Sequence, residues 1–358
     1  MKKILYIGWI GFGNLGDDLM VRLFQHRLQS MDQGRNIEII PSRPGLNIRE
    51  VAPYDAVVLG GGSLLHPGYI DVMHNALTNG KPVHVWGSGF DWLEQHAVDA
   101  LGQKHPEDVS NLWAASSKKQ MIEVSHHARS FGVRGPLSSK LLQEWQAPNH
   151  RIIGDPALLL SSEKPQKPTL TLDPKKKWIA VNWGTAYNRI YGQDENLVAQ
   201  RLAAAARKLV DQGYSILLYP MWGPDAKPCE QLKSLIDRDD RILFIRKVPH
   251  ETELMGWLKQ CEWSVNLKLH ASVLSAAAGV PFVALGYRFK VFDFAASMDW
   301  SAFVLATDDP ELDQHVISVS EQILHKKKKL TSILQRHNAV YHQRITDNLK
   351  MILKAGSE

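Results

Sequence analysis

Cysteine is nearly missing from this 358-residue chain, which has Cys229 and Cys261 and no others. Two thiols so far apart in sequence exclude a disulfide framework and a cysteine metal knuckle, and read as buried, idle groups. Histidines are more numerous, yet His126-His127 and His315 stand apart from suitable partners and no His-Glu-x-x-His occurs, so no metal is expected. A P-loop and a Gly-x-Ser-x-Gly elbow are also missing. No stretch approaches the roughly 20 apolar residues of a membrane span. The N-terminal apolar run is broken by Gly8, Gly11, Gly13 and Asp17-Asp18, so it lacks the core of a secretory signal, and a cytoplasmic location is expected.

Charge is mildly one-sided, at a formal +5, with runs at Lys175-Lys176-Lys177 and Lys326-Lys327-Lys328-Lys329. Neither run is interleaved with aromatics, which argues against a nucleic-acid groove. They read as a solvated linker and a solvated helix face; the sharper reading is peripheral attraction to the anionic inner surface of a membrane.

What is present is a repeated alternation of strand and helix. Residues 3–9 read as a buried parallel strand, followed by Leu19, Leu23, Phe24 and Leu28 at helical spacing. Further strands are expected at 36–40, 55–59, 82–86, 129–133 and 151–153. The Pro- and Lys-rich stretch 161–177 interrupts the pattern as a linker. The alternation restarts with strands at 178–182, 215–219, 241–244, 263–265 and 281–285. The expected organisation is an N-terminal domain of residues 1–160, the linker, a C-terminal domain of 178–329, and a helix in 330–358 packing back on the first domain. The fold class is α/β, two Rossmann-like domains facing a central cleft.

The glycine-rich strand ends carry the chemistry. Gly11-x-Gly13-x-x-Gly16 formally matches a dinucleotide fingerprint, but Asp17 and Asp18 occupy the first helical turn, where phosphates would have to sit. The acids suit the helix dipole, and Asp17 is a candidate general base. Gly60-Gly61-Gly62-Ser63 and Gly87-Ser88-Gly89 read either as tight turns or as parts of an anion-binding rim. Arg134, between Val133 and Gly135, reads as a surface ion pair or as a fork for a carboxylate or phosphate. Lys268-Leu269-His270 opens a helix, placing a cation and an imidazole at one N-terminus. Tyr287-Arg288-Phe289-Lys290 adds positive charge after the next strand. Trp183, Tyr187 and Trp222 follow strand ends and suit either a core or a sugar face.

Taken in order, these residues resemble the polysaccharide pyruvyl transferases. The resemblance runs through Gly11 to Asp17, Gly60 to Leu65, Val133-Arg134-Gly135 with Ser138 and Leu141, and Gly154-Asp155-Pro156-Ala157. It ends with Leu269-His270-Ala271, Ala276 to Pro281, and the Tyr287 and Lys290 pair. The resemblance implies a GT-B-like fold, phosphoenolpyruvate as donor substrate with no cofactor, and a glycan or lipid-linked oligosaccharide as acceptor. It implies Asp17, His270 and Arg134 as catalytic residues. Lys268, Leu269, Arg134, Asn14, Gly61, Gly62, Ser63 and Lys290 follow as substrate contacts. The acceptor would then lie on the N-terminal domain and phosphoenolpyruvate on the C-terminal one. Lys268 stands where the family typically has arginine, keeping the charge and losing the bidentate fork. On this reading His270→Ala and Arg134→Ala each abolish transfer and leave the fold intact. A nucleotide-sugar glycosyltransferase of the same fold and an NADP-linked oxidoreductase using Arg43 are the rival readings; a non-catalytic glycan-binding relative is disfavoured because all three catalytic candidates are present.

Overall fold

The computed structural model describes residues 2–31, 36–102, 109, 112–163 and 170–355. The chain divides into two compact units, one of Met1–Phe12, Gly16–Ala157 and Val340–Glu358, the other of Gly13–Leu15 and Leu158–Ala339. The first unit runs β1 (Lys2–Ile7), α1 (Leu15–Met31), β2 (Ile37–Pro41), β3 (Ala56–Leu59), α2 (Pro67–Thr78), β4 (Val83–Ser88), α3 (Gln95–Gly102), α4 (Ala115–His127), β5 (Ser130–Val133), α5 (Pro136–Glu144) and β6 (Arg151–Ile152). The second runs β7 (Lys177–Asn182), α6 (Glu195–Asp211), β8 (Tyr214–Tyr219), α7 (Ala226–Ile236), β9 (Ile242–Phe244), α8 (Glu251–Leu258), β10 (Ser264–Asn266), α9 (Leu269–Ala277), β11 (Phe282–Gly286), α10 (Phe289–Ser297), β12 (Val304–Ala306) and α11 (Leu312–Ala355).

Each unit is built on one six-stranded sheet, and every strand pairing in both is parallel. β3 and β4 are buried along their whole length, as strands covered by helices on both faces must be. The orders differ. The first sheet runs β2-β1-β3-β4-β5-β6, so its direction of growth reverses between β1 and β3. The second runs β12-β11-β10-β7-β8-β9 and reverses between β7 and β10. Loops at the carboxyl ends of strands beside such a reversal are where doubly wound sheets hold ligands. Those loops here are the Gly8–Asn14 and Gly60–Ser63 turns in the first sheet, and the Trp183–Gln193 and Leu267–Lys268 segments in the second.

The final helix corrects the expected boundary, for α11 begins at Leu312 rather than Leu330. Leu312, Val316, Val319 and Ile323 are buried at helical spacing and continue into Leu330 and Leu334. The lysine run sits on the exposed side of that stripe and hides its continuity in the sequence. Asn338 Nδ2 donates to Ala276 O at 2.8 Å in the second unit. Past Val340 the helix belongs to the first unit, where Arg344 donates to Ile152 O and Tyr341 packs against Gly154. The expected linker starts inside a 3-10 helix, Pro156–Ser162, and its Lys- and Pro-rich residues 164–169 lie outside the described residues. β12 was not expected; three half-buried residues are too short to show a period.

Candidate functional site

In the first unit the opening turn is fixed by one of its two acids. Gly11 N donates to Asp18 Oδ1 at 3.0 Å, so Asp18 closes the turn onto the start of α1. Asp17 points instead toward the turn after β3: a side-chain carbon at Gly62 would lie 3.3 Å from Asp17 Oδ1. Gly62 also has φ 108°, so both backbone and space require glycine there. The Tyr6 phenol is pushed up by burial, and further by the charges of Asp17 and Asp155. Tyr69 is raised by burial and then by Asp17. The half-buried Asp17 therefore lies near enough to two phenols for its charge to hold both in the protonated form.

Arg134 is placed differently from expectation. Its side chain is wholly buried. Its guanidinium donates to Gly62 O at 3.3 Å, to Ser63 Oγ at 3.4 and 3.5 Å, and to Phe90 O at 3.3 Å. A side chain at Gly89 would lie 2.6 Å from its Nη2, so the turn after β4 closes directly over the cation. Burial pushes the Asp155 carboxyl up to about 6 against the pull of Arg134 and of the Ala157 N–H. Arg134 thus ties two strand-end turns together beside a buried acid. Deleting it would strand the carbonyls and the acid beside it, so its removal is expected to cost stability, against the expectation of an intact fold. Gly61 and Gly62 are likewise buried in protein, with Met20 and Pro156 filling the space beside Gly61. Ser63 is partly exposed.

In the second unit Lys268 caps α9. Asn182 at the end of β7 accepts from Lys268 N at 2.9 Å and donates to Tyr219 O at 3.0 Å, locking three strand ends together. The Lys268 ammonium lies 3.1 Å from Asp225 Oδ1, donates to Thr185 O, and sits 5.6 Å from the centre of the Trp222 ring. Asp225 is fully buried and also accepts from Thr185 N and Met221 N. Burial raises its carboxyl, with Lys268 pulling the other way. The Lys268 side chain keeps 13% exposure and so is not sealed off as Arg134 is. Leu269 is core, and His270, half-buried, follows it in the first turn of α9 beside the helix's leading N–H groups. Asn14 belongs to this unit, where its backbone bridges Trp222. Lys290, in the first turn of α10, lies 5.3 Å from the Tyr287 ring centre.

Sequence reasoning missed Asp225, Asn182 and Glu195. Asp225 was legible only as an acid behind Gly223-Pro224, the look of an ordinary helix start. Among the described residues no group of three or more His, Cys, Asp or Glu is placed to hold a metal, and no helix is long and apolar enough to cross a membrane. Both cysteines are buried, and burial pushes their thiols up.

Comparison with known proteins adds a family and a fold. A family model described as polysaccharide pyruvyl transferase matches residues 14–288, more than half of the chain. No curated protein sequence matches. Among solved structures, S. aureus MnaA, solved with UDP, has 14% identity over 100% of this chain and 98% of its own, with a TM-score of 0.64. The UDP-GlcNAc 2-epimerase from Neisseria meningitidis bound to UDP-GlcNAc has 10% identity over 99% of each chain and a TM-score of 0.61. Anabaena HepE, in complex with UDP and glucose, has 11% identity over 100% of each chain and a TM-score of 0.57. At such identities these likenesses concern the fold, which is the GT-B-like α/β architecture.

Proposed function

We propose that this chain, a transferase that belongs to the polysaccharide pyruvyl transferase family, moves the pyruvyl group of phosphoenolpyruvate onto two hydroxyls of one sugar in a glycan acceptor. The observation that carries the reading is the place of the chemical groups. Asp17 lies at the reversal point of one sheet, and Lys268 with His270 at the reversal point of the other. A carboxylate for deprotonation and a cation with an imidazole for an anionic donor are what a ketal-forming transfer asks for.

In this mechanism Lys268 and the leading amides of α9 hold the carboxylate and phosphate of the donor, offsetting their charge. His270, protonated, delivers its proton to the methylene carbon, and the central carbon becomes the electrophile. Asp17 takes the proton of the sugar hydroxyl that attacks this carbon. A second hydroxyl of the same sugar then forms the second C–O bond and gives its proton to the now neutral His270, while the carbon–oxygen bond to phosphate breaks and the proton held by Asp17 passes to the departing phosphate, giving a cyclic pyruvate ketal and inorganic phosphate. Each acid–base group of this kind typically supplies about 10²–10⁴-fold. Arg134 acts in this account through the Gly62-Ser63 turn beside Asp17, not by touching the donor. Lys268 supplies a point charge already shared with Asp225, so its pull on the donor depends on that pair.

The test is phosphate release from phosphoenolpyruvate in the presence of a glycan panel, followed for the native chain, His270→Ala and Asp17→Asn. Both substitutions are expected to lower turnover at least about a hundredfold with the unfolding midpoint kept. Near-native turnover in either removes that residue from the mechanism.

A further inference from the structure

Of the three aromatics that follow strand ends in the second unit, Trp183 is core at 2% exposure, whereas Tyr187 is 62% exposed. Exposure alone carries little. The backbone beneath Tyr187 carries more. Tyr187 and Asn188 adopt successive left-handed conformations, φ 56° and 57°, and Arg189 N donates to Ala186 O at 3.1 Å. This is a type I′ turn, whose central positions ordinarily go to Asn, Gly or Asp. Asn188 suits its place and a tyrosine does not.

The surroundings hold the turn in spite of that strain. Glu195 accepts from Ala186 N and Asn188 N with one carboxylate oxygen and from Thr185 Oγ1 with the other. Glu195 N in turn donates to Asn188 Oδ1, and Tyr187 N donates to Thr185 Oγ1. Strain fixed so thoroughly is characteristic of ligand clamps. The turn also lies in the loop after β7, at the reversal point of the second sheet. There the Tyr187 ring meets Trp222 edge-on, with centroids 5.9 Å apart at 85°, and Lys268 stands beside the same indole.

We propose that Tyr187 and Trp222 form a stacking subsite for a neutral pyranose ring of the acceptor, which departs from the expectation that the acceptor lies on the N-terminal domain alone. The identity of the ring rests on the pyruvyl-transfer reading above. Two aromatic walls at a right angle match the apolar C–H face of a sugar and leave its hydroxyls to polar neighbours. The ring is a neutral one because the ammonium beside the indole is shared between Asp225, at 3.1 Å, and, on the reading above, the donor, which leaves the two aromatic faces to an uncharged ligand.

Tryptophan fluorescence of the full chain, titrated with neutral oligosaccharides built from galactose, glucose, mannose or N-acetylated sugars and separately with UMP, tests this. Tyr187→Asn puts a residue suited to the turn in place of the strained one. It is expected to raise the melting temperature and to weaken saccharide binding about tenfold. Tyr187→Phe is expected to bind saccharide within about threefold of the native chain. Unchanged saccharide binding in Tyr187→Asn, no binding from any saccharide of the panel, or Tyr187-dependent binding of UMP alone overturns the proposal. Tyr187-dependent saccharide binding without phosphate release from phosphoenolpyruvate would leave the subsite standing and remove the pyruvyl reading instead.

Discussion

Arg134 and Lys268 look alike in the sequence, each a basic residue in the few positions between a strand and the following helix. The protein treats them in opposite ways. Arg134 has no solvent exposure, and its fork is spent on Gly62 O, Ser63 Oγ and Phe90 O. Lys268 keeps 13% exposure and shares its charge with one carboxylate, Asp225, beside an aromatic ring. Guanidinium suits the first task because its planar fork can serve several carbonyls at once. A compact ammonium suits the second, where one carboxylate shares its charge and part of the side chain stays accessible. The first cation holds turns together, and the second keeps part of its side chain accessible.

The largest expected effect comes from breaking the buried member. Arg134→Met should lower unfolding stability by roughly 3–5 kcal/mol, read by urea denaturation, because it leaves Asp155 and two turns without their cation. A midpoint equal to the native one, with turnover lost, would make Arg134 an anion contact and erase the contrast. Next is the pH dependence of its neighbourhood. Folded Asp155 keeps its proton up to about pH 6, against 3.8 in the unfolded chain, so its contribution is present below pH 3.8 and lost as pH rises through 6. Buried His84 works the other way. Burial, helped by Arg129, pushes it down to about 4 from 6.5, so its contribution is present above pH 6.5 and lost as pH falls toward 4. Between pH 4 and 6 the two oppose each other. Asp155→Asn should therefore lose more stability than the native chain on acidification across that window, by about 3 kcal/mol at most. Parallel pH profiles would show that Asp155 does not titrate as buried. The smallest effect on stability belongs to Lys268→Met, roughly 1–3 kcal/mol, because Asp225 keeps its two backbone donors. Its turnover should fall far more than its stability, and Lys268→Arg should recover most of it. Equal losses in both properties would make Lys268 a second Arg134.

The fold was legible in the sequence because short apolar runs alternate with stretches of helical spacing, and eleven of the strands fall within two residues of expectation. Strand order was not, since periodicity says nothing about which strands neighbour one another. The order matters here: it singles out the turns after β1 and β3, and those after β7 and β10. The placement of Asp17 and His270 in the first turn of a helix after a strand was legible in the sequence. The burial of Arg134 was not, because nothing local reveals that Gly89 lets the next turn close over it. Asp225 escaped notice for a similar reason, as its partners Thr185 and Lys268 are distant in sequence. The strain at Tyr187 is a backbone property and is silent in the sequence altogether.

The most direct test of the account is to incubate the native chain and His270→Ala with phosphoenolpyruvate and a glycan panel, measuring phosphate and the acceptor's mass together. The account predicts phosphate released in equal amount to an acceptor carrying one pyruvate as a ketal, and neither product from His270→Ala. Phosphate without ketal, equal yields from both chains, or glycosyl transfer with nucleotide release from a UDP-sugar in place of both would contradict it.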